Sequence, residues 1–113
     1  MEKTWDVNLG SIERIPAGQG LCYRVEGQRI AVFRTRDGDV RAIENTCPHA
    51  KGPLSEGLIG DGKVVCPLHG HSFDLTTGKG SALNESVRTF PVRVENGMLF
   101  IEYHSTPVAP AGV

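Results

Sequence analysis

Cys47-Pro48-His49 and Cys66-Pro67-Leu68-His69 decide how this chain is read. Each stretch offers one thiol and one imidazole, and sixteen residues separate His49 from Cys66. Glycines follow closely, Gly52 and Gly57 after the first stretch and Gly70 after the second. Two Gly/Pro loops, each bearing one Cys and one His, are what a mixed-ligand metal centre needs. Four unrelated core or surface residues would have no reason to take this order and spacing.

The rest of the chain reads as a scaffold for those loops. At 113 residues it is long enough for one domain with its own core. A net charge of −1, with both signs mixed along the sequence, gives no basic surface for nucleic acid. No apolar run approaches the roughly 18 residues of a membrane span. The start, MEKTWDVNLG, has neither an apolar signal core nor a twin arginine, so a cytoplasmic protein is expected. Of three cysteines, Cys22 lies outside the loops, in a strand-like run, and is expected to be a small buried or half-buried residue.

Fourteen Gly and seven Pro argue for many short strands and tight turns, hence an all-β class. Thr4 to Leu9 predicts a first strand with Trp5, Val7 and Leu9 on one face, followed by a short turn from Gly10 to Glu13. Leu21 to Glu26 and Arg29 to Thr35 predict a hairpin around Gly27-Gln28. Within it Ile30, Val32 and Arg34 share one face, and Ala31 and Phe33 the other. Asp37-Gly38 predicts a two-residue turn into a strand from Val40 to Glu44.

Between the loops, Pro53-Leu54 and Leu58-Ile59 are expected to anchor an excursion bent at Gly52 and Gly57. Asp61-Gly62 turns it into a short strand from Lys63 to Cys66. His71 to Leu75 and an alternating run from Val87 to Glu95 are further strands. Asn96-Gly97 is the clearest hairpin signal and leads into Met98 to Tyr103. The organisation expected is a single domain over 1–113. Its antiparallel base comes from about 1–45 and 81–103, a small ligand-bearing insert from 46–80, and a frayed tail from 104–113.

The pattern C-x-H-x16-C-x2-H, with halves CPH and CPLHGH, resembles the Rieske [2Fe–2S] proteins. The resemblance implies that Cys47 and Cys66 hold one iron and His49 and His69 the other. A Cys2His2 zinc site is the alternative metal centre, though zinc fingers group Cys with Cys and His with His. Two ferric ions, two sulfides and two thiolates sum to zero formal charge, against −2 with four thiolates. An added electron is therefore easier to accept, which raises the potential relative to all-Cys clusters. High-potential members of the family carry a disulfide between the loops and Ser and Tyr hydroxyls near the cluster. Here Gly52 and Leu68 stand at the disulfide positions, and His71 and Phe73 at the hydroxyl positions. The resemblance thus implies a low-potential centre. His71 takes an outer or surface role, and His104 faces solvent. Pro53, Leu54, Pro67 and Leu68 are expected to form an apolar rim around the cluster.

CPHAKGPLSEG, VVCPLHGHSFDLTTGKG and VRTFPVRVENGMLFIE look like the small subunit of assimilatory NAD(P)H nitrite reductase. That resemblance implies an electron relay for a large reductase subunit that reduces nitrite to ammonia. The alternative is a Rieske ferredoxin passing electrons from a flavin reductase to a ring-hydroxylating dioxygenase. A zinc-stabilised binding module is the non-redox alternative. No nucleophile triad, phosphate loop or nucleotide fingerprint is present in the sequence, so catalysis is expected to belong to partner proteins.

Overall fold

A computed structural model describes residues 3–45, 53–66, 70–81 and 86–105. In chain order its strands are β1 (Lys3–Ser11), β2 (Gln19–Val25), β3 (Gln28–Arg34), β4 (Val40–Glu44) and β5 (Leu58–Gly60). Then follow β6 (Lys63–Val65), β7 (Ser72–Asp74), β8 (Thr89–Phe90), β9 (Val92–Glu95) and β10 (Met98–Ser105). Two single 3-10 turns, Ile12–Arg14 and Leu54–Glu56, are the helical elements among the described residues. The strands make three antiparallel sheets, ordered β1-β10-β9, β2-β3-β4-β8 and β5-β6-β7. The all-β expectation holds.

Sheet two is covered on both faces, and β3 shows why. Its residues alternate between two apolar cores. Ile30 and Val32 join Ile12, Ile15, Tyr23, Leu99 and Ile101 on the side of sheet one. Ala31 and Phe33 join Ile43, Leu54, Val64, Cys66 and Phe73 on the side of sheet three. All four of these β3 residues are fully buried. Each large one contributes roughly 1.5–3 kcal/mol by leaving water. Arg34 continues the first face. Its guanidinium donates to the carbonyl of Ile12 (3.4 Å), which also takes the Ile15 N–H of the 3-10 turn, and to the carbonyl of Ile15 (3.1 Å).

Three hairpins turn on paired left-handed residues. Asp61-Gly62 (φ 52° and 74°) and Asn96-Gly97 (φ 53° and 76°) do so as expected. The β2–β3 turn falls one residue earlier than expected, at Glu26-Gly27 (φ 50° and 79°). Asp37-Gly38 does not form a two-residue turn. Residues 35–39 make a longer loop, closed by the Thr35 N–H on Asp39 O (2.8 Å) and the Gly38 N–H on Thr35 O (3.1 Å).

The run from Val87 to Glu95 is not one strand. Pro91 has no N–H for a ladder, and the chain changes sheets there. β8 pairs with β4, and β9 pairs with β10. Val7 and Leu9 pack on the first core as expected, with a bulge between Asn8 and Gly10. The side chain of Trp5 lies outside the described residues. β10 runs on through His104 and Ser105, so the tail expectation fails for those two; 106–113 lie outside the description.

Cys22 is exposed rather than buried or half-buried. It shares a face with Arg24 near the sheet edge, where core two no longer covers β2. Leu58 is not an anchor, being 81% exposed on the outer face of β5, while its neighbour Ile59 turns inward onto core two. Gly57 has an ordinary φ of −78°, so it is not there for a left-handed bend. It is there for space, because a Cβ would lie closer than 3.0 Å to the Val65 carbonyl oxygen.

Candidate metal centre

Of the four expected ligands, the described residues include Cys66; Cys47, His49 and His69 lie outside them. Cys66 follows β6 directly, with its thiol free and 1% exposed, inside the core shared by Leu54, Val64 and Phe73. Its backbone closes the loop that follows. The Cys66 N–H donates to His71 O (2.7 Å), and the Gly70 N–H donates to Cys66 O (3.1 Å). Gly70 has φ 76°, a left-handed conformation that glycine adopts without strain. Cys66 is thus joined by backbone hydrogen bonds to Gly70 and His71.

Asn45, the last described residue before Cys47 and His49, is joined in a comparable way to Leu54 and Ser55. Asn45 is 3% exposed and ends β4 through its N–H on Arg29 O (3.1 Å). Its carbonyl accepts the Leu54 N–H (2.8 Å), and its Oδ1 accepts the Ser55 N–H (2.6 Å). The 3-10 turn at Leu54–Glu56 begins after Pro53, which supplies no side-chain cap. Asn45 caps that turn from across the excursion. Leu54 and Cys66 belong to one apolar core, so the bases of the two ligand stretches meet.

Sequence reasoning missed this role for Asn45. The available signal was a polar residue at the buried phase of β4, two positions after Ile43. Of the residues expected in the apolar rim, Leu54 is instead fully buried in the core, Pro53 is exposed, and Pro67 and Leu68 lie outside the described residues. Among the described residues, Leu58 and Val65, which face each other across β5 and β6, also expose apolar surface.

The FDLTTG run is a positioning device. Asp74 Oδ1 accepts the N–H groups of Thr76 (2.8 Å) and Thr77 (2.9 Å). Those two N–H bonds, Thr77 first, hold the Asp74 carboxyl below its ordinary pKa. Gly78 (φ 80°) sits against Val87, whose N–H donates to Gly78 O (2.8 Å). This ties sheet three to the strand that follows it. His71 is half-buried, and its backbone carbonyl takes the Cys66 N–H. Phe73 lies fully buried in core two and carries no hydroxyl.

A buried thiol outside any disulfide at Cys66, with Cys47, His49 and His69 in the neighbouring stretches of sequence, is a donor set that suits an iron–sulfur centre. Comparison with known proteins points the same way. The model of the Rieske-like [2Fe-2S] domain family matches residues 4–102. The ferredoxin component of naphthalene 1,2-dioxygenase/salicylate 5-hydroxylase systems from Ralstonia sp is 32% identical over 98 residues, covering 85% of this chain and 92% of that protein. A crystal structure described as an NADH-dependent nitrite reductase small subunit from Mycobacterium tuberculosis superposes with a TM-score of 0.83 at 25% identity, covering 89% of this chain and 96% of that one. The ferredoxin of carbazole 1,9a-dioxygenase from Nocardioides aromaticivorans IC177 does so with a TM-score of 0.77 at 30% identity, covering 85% and 95%. Among the described residues no helix is long and apolar enough to cross a membrane.

Proposed function

This chain belongs to the Rieske-like [2Fe–2S] domain family, and we propose that it is the electron-carrying small component of a multi-protein oxidoreductase. In this reading Cys47 and Cys66 hold one iron, and His49 and His69 hold the other. The observation that carries it is the buried Cys66 thiol, bonded through its backbone to Gly70 and His71 and sharing a core with Leu54. The cofactor supplies one-electron exchange when bound. The chain's own residues seat it, exclude water with Leu54, Val64 and Phe73, and hold both loops at fixed ends.

The first reading of the partner is the large subunit of an NAD(P)H-dependent nitrite reductase, which would carry the reduction of nitrite to ammonia. It is supported by backbone likeness to the mycobacterial small subunit. The second reading is a ferredoxin between a flavin reductase and a ring-hydroxylating dioxygenase. It is supported by identity to the Ralstonia component over nearly that protein's full length.

Purified full-length protein should be red-brown, contain two iron and two sulfide per chain, and give a rhombic EPR signal after reduction. A colourless protein with stoichiometric zinc would overturn the reading. The midpoint potential should fall in the lower part of the Rieske span of roughly −150 to +300 mV. The absence of a loop disulfide at Gly52 and Leu68, and of a hydroxyl at Phe73, supports this. The partner is decided by supplying the reduced protein to each system. Nitrite-dependent reoxidation by a sirohaem reductase favours the first reading, and reoxidation by an aromatic-ring oxygenase favours the second.

A further inference from the structure

β2 and β3 place Arg24 directly opposite Arg29. Cross-strand partners point to the same side of a sheet, and like charges in that position repel. Both side chains are exposed. Neither has an ion pair or side-chain hydrogen bond among the described residues. Glu26, in the turn that joins the two strands, pairs with neither. The molecule as a whole has a net charge of −1, so this cationic pair is a local feature.

Its position is specific. The neighbouring pair on the same face is Cys22 and Ala31, and Ala31 belongs to core two, on the side of sheet three. On the other flank, Arg29 O accepts the N–H of Asn45, the last residue before the stretch that contains Cys47 and His49. The two guanidinium groups therefore stand on the sheet face that carries the candidate metal centre, at the strand end from which the first ligand stretch departs. Blunting a sheet edge would explain an arginine on β2, an edge strand. It does not explain Arg29, because β3 is paired on both sides.

We propose that Arg24 and Arg29 form a docking element for an acidic surface of the protein that exchanges electrons with this domain. The proposal rests on the electron-carrier reading above. Electron-transfer encounters are brief and small, and complementary charge at the contact raises their association rate. An unpaired cationic pair costs the fold repulsion and becomes favourable when a carboxylate-rich face settles on it.

The test uses full-length, cluster-loaded protein and an acidic flavodoxin as probe. Reduced flavodoxin is mixed with the oxidised protein in a stopped-flow instrument at increasing salt, with neutral photoreduced lumiflavin as a second donor. The parent rate with flavodoxin should fall as salt rises. The double variant R24Q/R29Q should be at least about threefold slower at about 10 mM salt, with a flattened salt dependence, and R24E/R29E slower still. Lumiflavin should reduce parent and variants at one rate. The melting temperature of R24Q/R29Q should be equal or higher, since a repulsive pair has been removed. Flavodoxin rates that match the parent, or a variant slowed equally with lumiflavin, would overturn the docking role. Protein without the visible bands of the cluster would sink the electron-carrier reading instead. Flavodoxin association measured by fluorescence anisotropy on the same variants then decides the docking role alone.

Discussion

Replacing Asn45 by Ala tests how the two ligand stretches are held. The side chain is 3% exposed, and its Oδ1 takes the Ser55 N–H at 2.6 Å. Ser55 is itself 9% exposed, so water cannot readily replace that acceptor. An unsatisfied buried N–H costs about 1–3 kcal/mol, and the missing amide leaves a small void besides. A loss of about 2 kcal/mol follows. With a urea m-value of about 1.3 kcal/mol/M, the unfolding midpoint should drop by about 1.5 M. In heat the same loss amounts to about 8 °C. Urea titrations followed by circular dichroism, on parent and variant of matched iron content, measure it. Asn45→Asp keeps an acceptor oxygen and should recover most of the loss. A midpoint shift below about 0.4 M for N45A would refute the bracing role, because the hydrogen bond would then contribute less than an ordinary exposed one.

Tyr23→Phe should leave stability unchanged or raise it by up to about 1 kcal/mol, read as a urea midpoint, because the Tyr23 hydroxyl is buried without a hydrogen-bond partner among the described residues. Cys66→Ser should abolish the rhombic EPR signal while circular dichroism retains the strand signature; a variant that keeps the signal removes Cys66 from the ligand set. Asp74 has a folded pKa held below the ordinary 3.8 by the N–H groups of Thr77 and Thr76, so its carboxylate adds stability above that pH and loses it as pH falls through the folded value. The stability gap between parent and Asp74→Asn should therefore be flat near neutrality and close in acid, and a gap that widens on acidification would contradict the assignment.

Elements set by local chemistry were legible in the sequence. Asn96-Gly97 and Asp61-Gly62 turn where they should, because left-handed pairs favour those residues. The two-faced reading of Ile30 to Arg34 holds because alternation in a strand is geometric. Features set by distant packing were not legible. Pro91 divides an alternating run: β8 finds its partner far along the chain, on β4, while β9 pairs with β10 across the adjacent turn. Side-chain chemistry favours a buried or half-buried Cys22 and an anchoring Leu58, yet both are exposed, as no described layer covers either. Gly57 is small because Val65 O passes beside it, a contact across strands that no local pattern announces. At the candidate metal centre the Cys and His residues and their spacing could be read directly, and Cys66 is the one of the four among the described residues, where it is buried. Asn45 could not be read, since its work depends on Ser55 returning to it ten residues later.

β3 belongs to both apolar cores at once, one through Ile30 and Val32, the other through Ala31 and Phe33. A strand shared in this way leaves no joint at which the ligand-bearing half could peel off while the other half persists. Opening either core exposes side chains that the other needs in place. The colour of the cofactor should therefore serve as a gauge for the whole molecule. Bleaching and loss of strand signal are expected to fall on one transition, and a carrier that must release an electron many times would keep its iron for as long as it keeps its fold.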